Sequence, residues 1–175
     1  MRDTMLQRYA SVRKHTAPAM PIVLLHIGED QTGVASGMGV EPDLLLVLDM
    51  GASRTSTQFF KRYPPSPLEI ETAIMAVEDE VTRARAVALH HAPLYSADER
   101  VRQMTRIVGG ADGLVPTLRI EQVENLFDQL AARSEGRLPS QVQIPDDPRF
   151  AATLVILREF MHHLHFDTVQ LIGSD

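Results

Sequence analysis

Two neighbouring carboxylates, Glu29 and Asp30, stand in a polar turn directly after the apolar run Ile22-Val23-Leu24-Leu25-His26-Ile27. A turn that follows a buried strand is where α/β proteins place their ligands. Paired carboxylates there are catalytic and metal-ligand candidates: they can hold a divalent cation with water completing its shell, or polarise an attacking water. They also work against a bare phosphate, because each adds negative charge where the anion would sit. An exposed acidic hairpin turn explains the same residues without any site.

Seven histidines offer a second chemistry. His162 and His165 are three apart near the end of the last apolar helical pattern, a spacing that places two ligands on one face. His163 and Asp167 are close by, and His90-His91 could approach. Zinc usually takes three or four ligands in a defined geometry, and no HExxH pattern is present. The helix macrodipole also favours histidines at a helix C-terminus, so that reading is preferred here. Ser53, Ser56 and Ser96 are possible nucleophiles, but none lies in a GxSxG turn. Gly109-Gly110-Ala111-Asp112-Gly113 lacks the Lys-Ser/Thr of a P-loop and reads as a helix C-cap and turn.

The elements that must position these groups follow from periodicity. Within the strand Ile22 to Ile27 the run Ile22 to Leu25 is continuously apolar, the pattern of a strand buried on both faces, and Leu44 to Leu48 is again apolar throughout and is expected to be a central strand. Between them, Gly33 to Ser36 reads as a short return strand and Gly37-Met38-Gly39 as a turn. For residues 51–60 β-propensity permits a strand, whereas Thr55, Phe59 and Tyr63 recur at helical spacing and favour a helix. In Pro64-Pro65-Ser66-Pro67, Ser66 is an N-cap with Pro67 at the first helical position and Glu69 in the first turn. That helix should reach about residue 83 and bury Ile70, Ile74, Val77 and Val81. Residues 86–89 read as a strand with a loop after it, and residues 97–108 as a helix. Thr117 can cap a helix over 118–133, Asp146 or Asp147 one over 148–164, and residues 168–172 close the chain as a strand. Residues 1–20 read as an N-terminal arm or linker with a short helix up to Lys14, and residues 21–175 as a single α/β domain.

Length and composition bound the function. A chain of 175 residues fits one domain or one lobe of a larger protein. A net charge of −6, with no basic run, argues against nucleic acid and anionic membrane surfaces as partners. There is no cysteine, which excludes disulfides, thiolate metal sites and a cysteine nucleophile. Residues 1–20 lack the apolar core of a secretory leader, and the apolar runs are too short to span a bilayer. A cytoplasmic location is expected.

Four regions carry a resemblance to a known family. Val47-Leu48-Asp49-Met50-Gly51-Ala52-Ser53-Arg54-Thr55-Ser56-Thr57-Gln58-Phe59-Phe60, followed by Pro64-Pro65-Ser66-Pro67-Leu68-Glu69-Ile70-Glu71, resembles a signature of the exopolyphosphatase and guanosine pentaphosphate phosphohydrolase (Ppx/GppA) family. His26-Ile27-Gly28-Glu29-Asp30-Gln31-Thr32 stands where that family has an Asp-Ile-Gly-Gly-Gly-Ser-Thr phosphate loop. Val87-Ala88-Leu89-His90-His91-Ala92-Pro93 is placed on a Val-Gly-Thr-Gly-Gly-Thr turn, and Pro145-Asp146-Asp147-Pro148-Arg149 resembles the start of the family's last long helix. The resemblance implies the second, C-terminal lobe of an actin-like (ribonuclease H-like) fold, with a mixed sheet beginning with three strands and flanked by helices. It makes Gly28, Gln31, Thr32, His90 and His91 phosphate-binding candidates, and Mg2+ the cofactor if the chain is enzymatic.

The departures from the family pattern imply less activity. Glycines in such a loop let backbone N–H groups reach phosphate oxygens. Here Gly28 is kept, but Glu29 and Asp30 follow it, His26 replaces the leading carboxylate, and His90-His91-Ala92 replaces the second glycine turn. No first lobe is visible. The expectation is a binding or interaction module that is not catalytic by itself, with a homodimer mate or a separate first-lobe protein as partner. The alternative is a metal-dependent phosphohydrolase of polyphosphate or guanosine pentaphosphate, completed by such a partner. A different actin-like module, of pilus-assembly or cell-division type, fits the Pro64-Pro65 segment less well.

Overall fold

The computed structural model describes residues 1–89, 91–109, 115–137 and 144–173. Among these, six strands form one sheet in the order β3-β2-β1-β4-β6-β5. β1 (Ile22–Ile27) runs antiparallel to β2 (Thr32–Gly37), with Leu25 opposite Val34 and Ile27 opposite Thr32. β2 in turn runs antiparallel to β3 (Leu44–Leu48). On the other side of β1 the chain adds β4 (Leu94–Ser96) and then β6 (Thr168–Leu171), both parallel, and β5 (Thr117–Arg119) closes that edge antiparallel to β6. An antiparallel three-stranded unit extended by parallel strands through its first member is the sheet of a ribonuclease H-like lobe, as the resemblance implied.

β1 reads as continuously apolar because it is covered on both faces. Val23, Leu25 and Ile27 join the main core beneath four helices: α2 (Ala52–Phe59), α3 (Pro67–Ala84), α5 (Ile120–Ser134) and α6 (Pro148–His163). α6 is the central helix of this layer, packed against α2, α3 and α5. Its flanks are correspondingly apolar, with Phe150, Leu154, Val155, Ile156, Leu157 and Phe160 all buried. α3 begins with the expected cap. Ser66 Oγ accepts from Glu69 N at 3.4 Å, while the Glu69 carboxylate accepts from Ser66 N at 2.6 Å and Lys61 N at 2.7 Å. Hydrogen bonds from the Ser66 backbone, the Ser66 hydroxyl and the Lys61 backbone hold the Glu69 carboxyl down at about 2. Asp147 caps α6 by accepting from Arg149 N.

Residues 1–20 are not the arm or linker the sequence suggested. Helix α1 (Arg2–Arg13) docks on the opposite face of the sheet and buries Met5, Tyr9 and Val12 against Ile22, Leu24 and Ala35. The cause lies in β2, where Gly33, Ala35 and Gly37 alternate toward α1. A Cβ at Gly33 would lie 2.3 Å from Met5 Sδ, and one at Gly37 2.9 Å from Tyr9 Oη. The small residues open the trough that α1 fills.

Three other expectations are corrected. Residues 86–89 form no strand: Val87 N and Ala88 N hydrogen-bond back to Ala84 O, so these apolar residues finish α3, and β4 comes later at Leu94–Ser96. β3 is an edge strand and not a central one; Leu44 is 43% exposed, and only Leu48 is fully buried within the strand. Thr117 caps nothing and pairs with Gln170 in β5, with α5 starting after Arg119. Gly109, with φ of 69°, is the glycine that ends α4 (Glu99–Ile107), as read; residues 110–113 lie outside the described residues. No described helix is long and apolar enough to cross a membrane.

Candidate functional site

The turn from β1 to β2 lies at the C-terminal ends of β1 and β4, where an open α/β sheet receives ligands. Gly28 N donates to Gln31 O at 3.0 Å and closes the turn. Gly51 presses against it from the start of α2: a Cβ there would lie 2.5 Å from Glu29 O, 2.6 Å from Asp30 C and 2.7 Å from Gln31 N. The contact has a direct chemical consequence. Ala52 N donates to Gly28 O at 2.9 Å, and Ser53 N and Arg54 N donate to Glu29 O at 2.8 and 3.0 Å. A helix leaves its first N–H groups without intrahelical partners, which is what makes helix N-termini bind anions. In this chain the turn's own carbonyls take up three of them.

The charges around the turn are also satisfied from within. Glu29 Oε1 accepts from Arg100 Nη1 at 2.8 Å, and Arg149 approaches its other oxygen at 3.7 Å. Asp49 pairs with Arg54 at 3.5 Å. Asp98, at the head of α4, does not cap its own helix. Its carboxylate is drawn into the end of β1, where it accepts from Ile27 N at 2.7 Å, contacts His26 Nδ1 at 2.5 Å and lies 3.4 Å from Arg8. Burial to 7% exposure makes this carboxylate a structural tie between β1 and α4.

The candidate residues therefore divide. Gly28, Glu29, Asp30 and Gln31 are together in the turn, with Glu29 paired to arginines and Asp30 exposed. Thr32 is fully buried and its hydroxyl has no hydrogen-bond partner within the chain. His91 stands at the other end of the sheet: Pro93 O, two residues on, accepts from Val23 N at the start of β1, far along the strand from Gly28. It lines a shallow cavity with His165 and Asp167. His90 lies outside the described residues. Among the described residues no third carboxylate or imidazole joins Glu29 and Asp30 in a metal-sized group. Ser56 and Ser96 hydroxyls are engaged with Ser53 O and Asp98 N, outside any triad.

Sequence reasoning missed Asp98, Arg100, Arg8 and the role of Arg149. Placing the strand at 86–89 put the second turn at His90-His91. The turn that follows β4 is Ser96-Ala97-Asp98, and its Ser-x-Asp-Glu run before an amphipathic helix was the available signal.

No family model matches the sequence, and no curated protein matches it. Solved structures do match by fold. The Ppx/GppA phosphatase of Aquifex aeolicus superposes with a TM-score of 0.76 at 16% identity, over 94% of this chain and 57% of that one. An exopolyphosphatase from Cytophaga hutchinsonii gives 0.65 at 12% identity, again over 94% and 57%. An exopolyphosphatase-like protein gives 0.66 at 14% identity, over 90% and 55%. The chain thus has the actin-like fold of a Ppx/GppA lobe and spans about half the length of the structures it matches.

Proposed function

We propose that this chain is a Ppx/GppA-type lobe that serves as a binding module and does not turn over phosphate by itself. One observation carries the reading: the N–H groups of Ala52, Ser53 and Arg54, the helix N-terminus that faces this turn, are bonded to Gly28 O and Glu29 O. The Glu29 carboxylate, held between Arg100 and Arg149, adds charge of the wrong sign and also quenches the nearest cations. A partner is the natural occupant of what a single lobe leaves open, either a second copy or a separate first-lobe protein. β3 supports this, since it is an apolar edge strand, with Met38, Val40 and Leu44 exposed at one end of it.

The test is a turnover assay on the purified chain with polyphosphate, guanosine pentaphosphate and p-nitrophenyl phosphate, with and without Mg2+ or Mn2+, beside light scattering for oligomeric state. The expected result is no turnover above the rate of an Asp30→Ala variant. Robust hydrolysis lost in Glu29→Ala or Asp30→Ala would establish the other reading, a phosphohydrolase that uses this turn.

A further inference from the structure

We propose that Glu78, Glu159 and His163 form a binding site for one divalent transition-metal ion of the zinc class. Glu78 comes from α3, and Glu159 and His163 are one turn apart on α6, the helix packed against it. His163 Nε2 stands 3.2 Å from Glu78 Oε1 and 3.3 Å from Glu159 Oε2, and one ligand atom from each residue lies within 4.8 Å of the others. An ion with tetrahedral bonds of about 2.0–2.1 Å keeps neighbouring ligands roughly 3.3–3.4 Å apart. Each carboxylate oxygen already stands from the imidazole nitrogen at the spacing of adjacent ligands.

Hydrogen bonding alone accounts for this arrangement less well. Nε2 carries at most one proton, which can point well at only one oxygen, and the hydrogen bond is made to Glu78. Glu159 is 1% exposed; its hydrogen bond, from Arg158 Nη1 at 2.5 Å, goes to Oε1, leaving Oε2 facing the same imidazole nitrogen. A buried carboxylate oxygen in that position is costly unless a cation meets it. The charge count agrees. Arg158 bridges Glu124 and Glu159, and Glu78 pairs with His163, so the three carboxylates have one guanidinium in ion-pair contact with them among the described residues. With the imidazole neutral, as metal binding requires, two negative charges remain for a divalent ion. The Glu78 and His163 side chains are 42% and 28% exposed, so a fourth position opens to water. Bound metal would tie α3 to α6 at the opposite end of the sheet from Glu29, and the site stands whatever becomes of the turn.

The test uses the untagged full chain, stripped of metal, with Zn2+ followed by calorimetry and Co2+ by absorption. One ion should bind per chain, and Co2+ should show the intense visible bands of a tetrahedral site. A hundredfold excess of Zn2+ over Kd should raise Tm by about 5–10 °C. Glu78→Gln and His163→Asn, both at partly exposed positions and checked for folding by circular dichroism, should each weaken binding about 10–100-fold or more and remove the Tm rise. His162→Asn and His165→Asn should leave both unchanged. Absence of saturable Zn2+ binding, equal affinity in the Glu78 and His163 variants, or loss confined to the His162 and His165 variants would each overturn the proposal.

Discussion

At the C-terminal end of β1, Glu29, Asp49 and Asp98 each stand within ion-pair distance of an arginine, and the turn's carbonyls occupy the N–H groups of α2. At the other end, Glu78, Glu159 and His163 converge with only Arg158 hydrogen-bonded into the group among the described residues. The first end lies where this fold usually places its chemistry, yet the first N–H groups of α2 and the carboxylates of Glu29, Asp49 and Asp98 are matched within the chain, with the Thr32 hydroxyl the buried exception. The second lies where none was expected, yet its carboxylates outnumber its cations. Position in a fold shows where a ligand could sit, whereas unmatched donors and charges show where one is still wanted.

Substitutions can break this comparison by degrees. Gly51 sits in extended backbone, at φ −164°, that any residue can adopt, so its requirement for glycine is purely the crowding by the turn. Gly51→Ala should cost about 3 kcal/mol, the upper part of the range for overpacking, read from urea unfolding. An unchanged midpoint would mean that the turn does not press on α2. Asp98→Ala removes the acceptor of the buried Ile27 N–H and should cost about 2 kcal/mol. Asp98→Asn, which keeps an acceptor oxygen, should cost less, and equal losses would count against the tie between β1 and α4.

A smaller effect is expected at the start of α3, the helix that carries Glu78. Ser66→Ala should cost about 1 kcal/mol through loss of the cap. The Glu69 carboxyl is depressed to about 2 from an ordinary 4.5, so its contribution to stability is fully present above about pH 4.5 and is lost as pH falls toward 2. Wild type and Glu69→Gln should therefore differ at neutral pH and converge over that window in acid unfolding curves. The smallest change in stability is expected for Glu29→Gln, within about 0.5 kcal/mol because the pair is half-exposed. That variant frees Arg100 and Arg149 and should gain weak affinity for sulfate that the wild type lacks, measurable by calorimetry.

Much of this fold was legible in the sequence. The apolar run at Ile22 to Ile27, the Ser66-Pro67-Leu68-Glu69 cap and the Asp147-Pro148 start of α6 each combine pattern with local chemistry, and all three form as read. What failed depended on partners distant in sequence. Leu44 to Leu48 has the composition of a central strand but is an edge, because burial is decided by neighbours that periodicity cannot see. Residues 86–89 and Leu94–Ser96 are equally short and apolar, and only the pairing of Leu94 with Val23 and Val169 distinguishes them. That single slip moved the second turn from Asp98 to His91 and hid Arg100. The Glu78, Glu159 and His163 group was equally hidden, since its members come together only where α3 meets α6.

Backbone amide NMR of the chain during a pyrophosphate titration, with and without Mg2+, tests the central claim most directly. The amides of Gly28, Ala52, Ser53 and Arg54 are bonded within the chain and should show no saturable shift up to millimolar ligand. Saturable shifts confined to those amides would show that the turn opens to receive an anion, and would contradict the account.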